Sequence, residues 1–285
     1  MNAVLRKIID ETLRFKLTSF GIFHSAMEYK TDWTMTPMDV LAYLPAGRGK
    51  ITFRNTGERY CIANQEAILA TGGKVRKNSF YPENGELLIY WVHVRYEIMN
   101  GFNLLGLFHA PEVFTAETAA KTGRQIKQLI DSASNHHTNI SISELATQKA
   151  LGMKLLALIT STCAFRDDAL SQLDQYRGQA DLISYIENHL KDKISVTDLA
   201  TRSCLSVSRF HRVFKAATGQ SPNEFISGRK VHRAQTLLTT TNMSLTEIAD
   251  ETGFANVYYF SRIFKQYSGS TPAAYRNLPA NKLFL

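Results

Sequence analysis

Hydrophobic and polar positions change period once along this chain. From residue 13 to about 115 they alternate in short runs: 40–44, 50–53, Arg59–Ile62, 67–71 and 87–96. Turn-forming clusters separate these runs, among them Ala46-Gly47-Arg48-Gly49, Asn55-Thr56-Gly57-Glu58, Gly72-Gly73 and Pro82-Glu83-Asn84-Gly85. Many short strands at this spacing predict an all-β sandwich or small barrel. A helical period then takes over. Residues 115–133 place Ile126, Leu129 and Ile130 on one face, and residues 141–165 carry a long stripe of Ile142, Leu145, Leu151, Leu155 and Leu158. Two antiparallel helices with a stripe wider than one core face needs either serve a dimer interface or both pack on the barrel. Residues 166–178 read as a polar linker. The rest is helical, beginning with Leu182, Ile183, Ile186 and Leu190 on one side of 181–190.

The C-terminal part repeats itself. Ile194-Ser195-Val196-Thr197-Asp198-Leu199-Ala200 matches Met243-Ser244-Leu245-Thr246-Glu247-Ile248-Ala249 at an offset of 49. Phe210-His211-Arg212-Val213-Phe214-Lys215 matches Phe260-Ser261-Arg262-Ile263-Phe264-Lys265 at an offset of 50, so the second copy has one extra residue in its turn. Each copy has helix-turn-helix grammar. Ser195 and Ser244 can cap a first helix, with Asp198 and Glu247 three residues on completing a capping box. A short turn follows, for which Gly253 suits a left-handed position and Cys204 does not. Ser206 and Asn256 cap the second helix.

In a helix-turn-helix the second helix enters the DNA major groove. In copy one, Val207, Phe210, Val213 and Phe214 are expected inward, and Ser208, Arg209, His211 and Arg212 outward. In copy two, Tyr259, Phe260, Ile263 and Phe264 are expected inward, and Val257, Tyr258, Ser261 and Arg262 outward. Arg212 and Arg262 are equivalent by repeat and can bridge guanine O6 and N7, or simply meet solvent or a phosphate. The helix expected over 223–239, with Phe225, Val231, Ala234, Leu237 and Leu238 inward, would hold the two reading heads apart.

Charge agrees with this reading without deciding it. The 285 residues carry a net charge of +8, and 13 Lys+Arg against 8 Asp+Glu fall from residue 178 onward. The three cysteines, Cys61, Cys163 and Cys204, are too scattered for a disulfide framework or a zinc pattern; Cys163 and Cys204 read as packing residues. No apolar run is long enough to span a bilayer, and the first sixteen residues have no secretory h-region, so a cytoplasmic protein is expected.

The stretches KVHRAQTLL from Lys230 and LTEIADETGFANVYYFSRIFKQYSGSTPAAYR from Leu245 resemble the signature of AraC/XylS-type transcription regulators, over residues 179–279. The resemblance implies an all-α domain of two helix-turn-helix units. Its base-facing positions fall on Ser208, His211 and Arg212, then on Val257, Tyr258, Ser261 and Arg262. Val257 and Tyr258 replace residues that are often polar, which points to an apolar contact such as a thymine methyl. The strand sequence LLIYWVHVRYE at 87–97 resembles the aromatic-Trp-x-His strand of the family's cupin-like barrel, departing at Val94, and Gln65-Glu66 stands where Gly-Asp is usual. This implies a barrel that binds a small molecule, followed by helices that dimerise.

On that strand Ile89, Trp91, His93 and Arg95 share a face. Trp91, His93 and Arg95 either line an effector cavity, as an aromatic platform with polar groups does for sugars, or simply pack in a core. His24, His93 and His109 are isolated, His136-His137 falls in a loop, and no catalytic constellation or cofactor motif stands out. No metal, cofactor or catalytic residue is therefore expected.

The expected organisation is a cupin-like barrel over 1–115, a helical dimerisation region over 116–166, a linker over 167–178 and a double helix-turn-helix domain over 179–285. The expected function is a homodimeric DNA-binding regulator, activating by default. Its partners would be promoter DNA, RNA polymerase and a small effector such as a sugar, with no membrane. The alternatives are a metal-dependent cupin enzyme with an accessory DNA-binding domain, and an effector-free regulator whose barrel only dimerises.

Overall fold

The computed structural model describes residues 3–36, 38–54, 56–99, 101–110, 112–134, 140–268 and 270–277. The elements in chain order begin with α1 (Ala3–Thr12), β1 (Arg14–Ser25), β2 (Tyr29–Lys30), β3 (Thr34–Met35), β4 (Asp39–Ala46), β5 (Arg48–Phe53), β6 (Arg59–Ile62), β7 (Ala67–Ala70), β8 (Val75–Tyr81) and β9 (Leu87–Ile98). Then come β10 (Phe102–Asn103), a 3-10 turn (Leu104–Leu107), β11 (Phe108–His109), β12 (Val113–Phe114), α2 (Ala116–Ser134), α3 (Ile142–Thr160) and β13 (Ala164–Phe165). The remainder is helical: α4 (Ala169–Arg177), α5 (Ala180–Asn188), α6 (Val196–Arg202), α7 (Val207–Thr218), α8 (Pro222–Thr240), α9 (Leu245–Glu251), α10 (Val257–Ser268) and α11 (Pro272–Asn277).

The chain forms two compact units. One holds Arg14–Tyr96 and Phe108–Phe165. Its strands make two large sheets, in the orders β1-β9-β4-β7-β12 and β2-β8-β5-β6, with β3 also paired to β8, and a separate two-stranded pair β11-β13. Register separates the faces of the first sheet. His93 lies opposite Val40 and Trp91 opposite Ala42, so these four share one side; Val92 opposite Leu41 and Val94 opposite Asp39 share the other. The second side receives the helices. Tyr96 Oη donates to the Gly152 carbonyl of α3 at 2.7 Å. A Cβ at Gly152 would come 2.4 Å from the Phe15 ring, so glycine is what lets α3 approach. The first side, with Trp91 and His93, faces the interior. In the second sheet Arg76, Asn78 and Phe80 of β8 alternate as its buried row, against Phe53, Ile51 and Gly49 of β5.

The five expected runs form β4, β5, β6, β7 and β9, while β1 and β8 were not expected; the left-handed turn at Gln65 (φ 62°) keeps the backbone that glycine would adopt. Two expectations fail. The helix expected over 141–165 ends at Thr160, and Ala164 and Phe165 pair with β11 instead, where the Phe108 and Phe165 rings lie 4.5 Å apart. Residues 166–178 are not an extended linker but contain α4, which buries Ala169, Leu173 and Tyr176. Three apolar residues at i, i+4 and i+7 suffice when the rest of the helix is solvated.

The other unit holds the residues up to Leu13, Glu97–Leu107 and Arg166–Asn277. The repeat is visible in its core. Phe210, Phe214 and Phe225 stack in series at 5.4 and 5.3 Å; Phe260, Phe264 and Tyr275 do the same at 5.6 and 5.2 Å, at an offset of 50 throughout. Such tilted and edge-on aromatic contacts contribute about 0.5–1.5 kcal/mol each beyond their burial.

Candidate nucleic-acid interface

The first helix of each pair is capped as its sequence directs. Ser195 Oγ accepts from the amides of Thr197 and Asp198, without the reciprocal bond from Asp198. Ser244 and Glu247 form the full capping box. The turns close identically: Leu205 N–H donates to Ala200 O at 3.0 Å, and Phe254 N–H to Ala249 O at 2.9 Å. Both turns pass through a left-handed residue, Cys204 (φ 54°) and Gly253 (φ 67°). Cys204 therefore takes the conformation it suits poorly, and it is exposed, not packed. Cys163 is half-buried, its thiol pushed up by burial and donating to the Ile159 carbonyl at 3.0 Å.

Each second helix starts on its expected cap. Ser206 Oγ accepts from Arg209 N–H, and Asn256 Oδ1 accepts from Tyr259 N–H at 2.8 Å. The first helix then buries Phe210 and Phe214 and exposes Ser208, Arg209 and Arg212, with His211 half-buried. The second buries Phe260, Ile263 and Phe264 and exposes Tyr258 and Arg262, with Val257 and Ser261 half-buried. Ser206 and Asn256 are exposed. The residues expected to meet DNA, namely Ser206, Ser208, Arg209, His211 and Arg212 with Asn256, Val257, Tyr258, Ser261 and Arg262, thus lie on or at the start of α7 and α10, seven of them exposed and His211, Val257 and Ser261 half-buried. Among the described residues none of Arg209, Arg212 and Arg262 is in an ion pair, which leaves their charge available to an anion.

Two inward assignments are wrong. Val207 and Tyr259 are each 41% exposed. Tyr259 is the repeat partner of Arg209, and the Arg262 guanidinium lies over its ring at 5.2 Å. The offset of 50 carried that answer: equivalent positions must face the same way. Tyr259 thereby joins the exposed face. Tyr258 is 84% exposed, an unusual placement for a large aromatic side chain.

In the sheet-rich unit, Trp91 and His93 are buried and Arg95 is half-buried. A 2.9 Å hydrogen bond joins His93 Nδ1 to Ser19 Oγ, and the Trp91 and His93 rings lie 5.1 Å apart. Burial, helped by the nearby Arg76 charge, lowers the His93 pKa to about 3, so the ring is neutral at physiological pH. Arg76 and Asn78 were missed. Their signal is the alternation Arg76, Asn78, Phe80 in VRKNSFY, which puts a cation on the buried face of Phe80. No three His, Cys, Asp or Glu side chains gather as a metal site among the described residues; His136-His137 lies outside them.

Comparison with known proteins adds a family to this geometry. Residues 199–278 match a helix-turn-helix domain family. The arabinose operon regulatory protein of Escherichia coli is 26% identical over 238 residues, covering 80% of this chain and 77% of that one. The chain is thus similar over most of its length to an AraC-type regulator, and its C-terminal part carries that helix-turn-helix domain. The uncharacterised HTH-type transcriptional regulator YfiF of Bacillus subtilis is 39% identical over 101 residues, spanning 34% of this chain and 32% of that protein. In fold, the chain resembles ToxT from Vibrio cholerae, with a TM-score of 0.56 at 13% identity over 93% of this chain and 97% of that one. The two share the fold: a sheet-rich N-terminal part followed by a helical C-terminal part. Among the described residues no helix is long and apolar enough to cross a membrane.

Proposed function

We propose that this AraC/XylS chain is a dimeric, sequence-specific DNA-binding transcription regulator that responds to a small hydroxylated effector such as a sugar. The observation that carries the reading is the duplicated exposed helix, α7 and α10, each with an arginine at the same place, Arg212 and Arg262. Their partner is promoter duplex, with Ser208, His211, Val257, Tyr258 and Ser261 reading base edges beside the arginines and Ser206, Asn256 and Arg209 close to the backbone. Activation through RNA polymerase, in the cytoplasm, is the default mode; relatives named as transcriptional activators support it. The barrel holds the effector, with Trp91, His93 and Arg95 on its inner face. Dimerisation uses α3, whose Ile142 and Leu145 are exposed. The relatives are regulators and not enzymes.

The test is to map genome fragments bound by the purified chain at fixed salt, with and without small metabolites. Fragments sharing two short motifs about one helical turn, ~34 Å, apart support the reading. Arg212→Ala and Arg262→Ala should each cost about 1–3 kcal/mol at the bound site and relax the preference at one position. Uniform binding that vanishes with modest salt, unchanged in both variants, would mean a basic surface only.

A further inference from the structure

The interior of the sheet-rich unit carries a fixed positive charge that its fold does not use up. Arg76 is 2% exposed. Its Nη2 donates to Thr36 Oγ1 at 3.1 Å, and its Nη1 is buried with no hydrogen-bond partner among the described residues. Two further buried atoms have open hydrogen-bonding capacity: Asn78 Oδ1, two residues along the same face of β8, and His93 Nε2 on β9. The charge of Arg76 is felt at His93, which sets these groups near one another across the interior. Asp39 attracts Arg76, but no ion pair joins them, and Asp39 Oδ1 is engaged by the Gly72 amide at 2.8 Å.

A buried guanidinium with a free edge is costly to a fold and is kept where an anion arrives. A planar fork with an open nitrogen matches a carboxylate. A buried amide oxygen asks for a hydroxyl or N–H donor. The ring of Trp91, beside His93, offers an apolar wall. We propose that the effector is a small hydroxylated carboxylate, such as a sugar acid, whose carboxylate pairs with Arg76 and whose hydroxyls meet Asn78 and His93. This rests on the effector-sensing reading of the barrel and narrows it from neutral sugars to acids.

The test uses the full chain with Trp33→Phe, which leaves Trp91 as the one tryptophan. Matched pairs are titrated: galacturonate against galactose, and glucuronate against glucose, with gluconate and lactate as open-chain acids. A saturable change in Trp91 emission with an acid, at least tenfold weaker or absent with its neutral parent, is expected. Arg76→Gln should abolish it, and Arg76→Lys should retain part. Should Arg76→Gln fail to fold, Asn78→Asp places a carboxylate beside Arg76 and should weaken acid binding at least tenfold in a folded chain. A neutral sugar binding as well as its acid, or acid binding unchanged in these variants, overturns the carboxylate and leaves an effector barrel standing. Silence from every compound, acid and neutral, means that water alone meets Arg76 and overturns the effector reading too. Fragment binding by α7 and α10, measured on the same samples, reports separately on the DNA-binding function.

Discussion

A left-handed backbone at a β-carbon-bearing residue costs about 1–2 kcal/mol, and the two copies of the turn meet that cost differently. At Gly253 a Cβ would sit 2.4 Å from the Leu190 carbonyl oxygen and 2.5 Å from that of Lys191, both backbone atoms that cannot swing away. At Cys204 the side chain is exposed. Gly253→Ala should therefore cost about 2–4 kcal/mol, from strain plus overpacking, and Cys204→Gly should be neutral to stabilising by up to about 1 kcal/mol. Urea midpoints followed by helical circular dichroism check both. His93 makes a second prediction. Its folded pKa of about 3 lies below the ordinary 6.5, so between those values the unfolded chain binds the extra proton. The stability that comes from keeping this ring neutral is whole above about pH 6.5 and is lost as pH falls toward 3. His93→Gln should flatten the acid limb of a stability–pH curve; an unaltered slope would show that His93 does not drive it. At this scale the sequence was legible where local chemistry decides, as in the caps Ser206 and Asn256. It misled at Tyr259, where an aromatic residue invites an inward assignment although its repeat partner is Arg209.

Among the elements, α8 carries more than the apolar stripe expected of it. Phe225, Val231, Ala234 and Leu238 are buried as expected and Leu237 is half-buried, but Arg229, Lys230 and Gln235 are buried too. Arg229 Nη1 donates to Glu97 at 3.3 Å, its Nη2 to the Gly101 carbonyl at 3.0 Å, and its Nε lies 2.9 Å from Glu187. Lys230 Nζ donates to the Gly253 carbonyl, and burial lowers its pKa. No local pattern announces an ion cluster whose members lie 132 positions apart. Removing Arg229 alone takes the cation from beside the buried Glu97, so Arg229→Met should cost about 3–5 kcal/mol, while Arg229→Met with Glu97→Met should recover part of that loss. A thermal-unfolding double-mutant cycle measures the coupling; strictly additive losses would dissolve the cluster as an energetic unit. α4 was equally illegible for another reason. Its buried face is only three residues wide, and the polar residues around it look like loop.

For the whole molecule, the change from strand to helical periodicity and the duplication of the C-terminal part were both readable, because each recurs over dozens of residues. The course of the chain between the two units was not. Glu97–Leu107 and the first helix belong with Arg166–Asn277, although sequence order sets them among or before strands. The dimer expected from α3 is tested at this scale. Ile142 is 89% exposed at the start of that helix. Ile142→Glu with Leu145→Glu should leave the fold intact and shift sedimentation from dimer to monomer; an unshifted dimer would move the interface elsewhere. The copies themselves have a practical corollary. α7 and α10 are each twelve residues long, and the offset of 50 holds unbroken from cap to helix end, the single inserted residue lying upstream in the turn. Each of these helices is thus a cassette with matching ends. Cut at Ser206 and at Asn256, the two can be exchanged without touching either turn, so that under the proposed function the order in which one chain spells its binding site becomes something to rewrite.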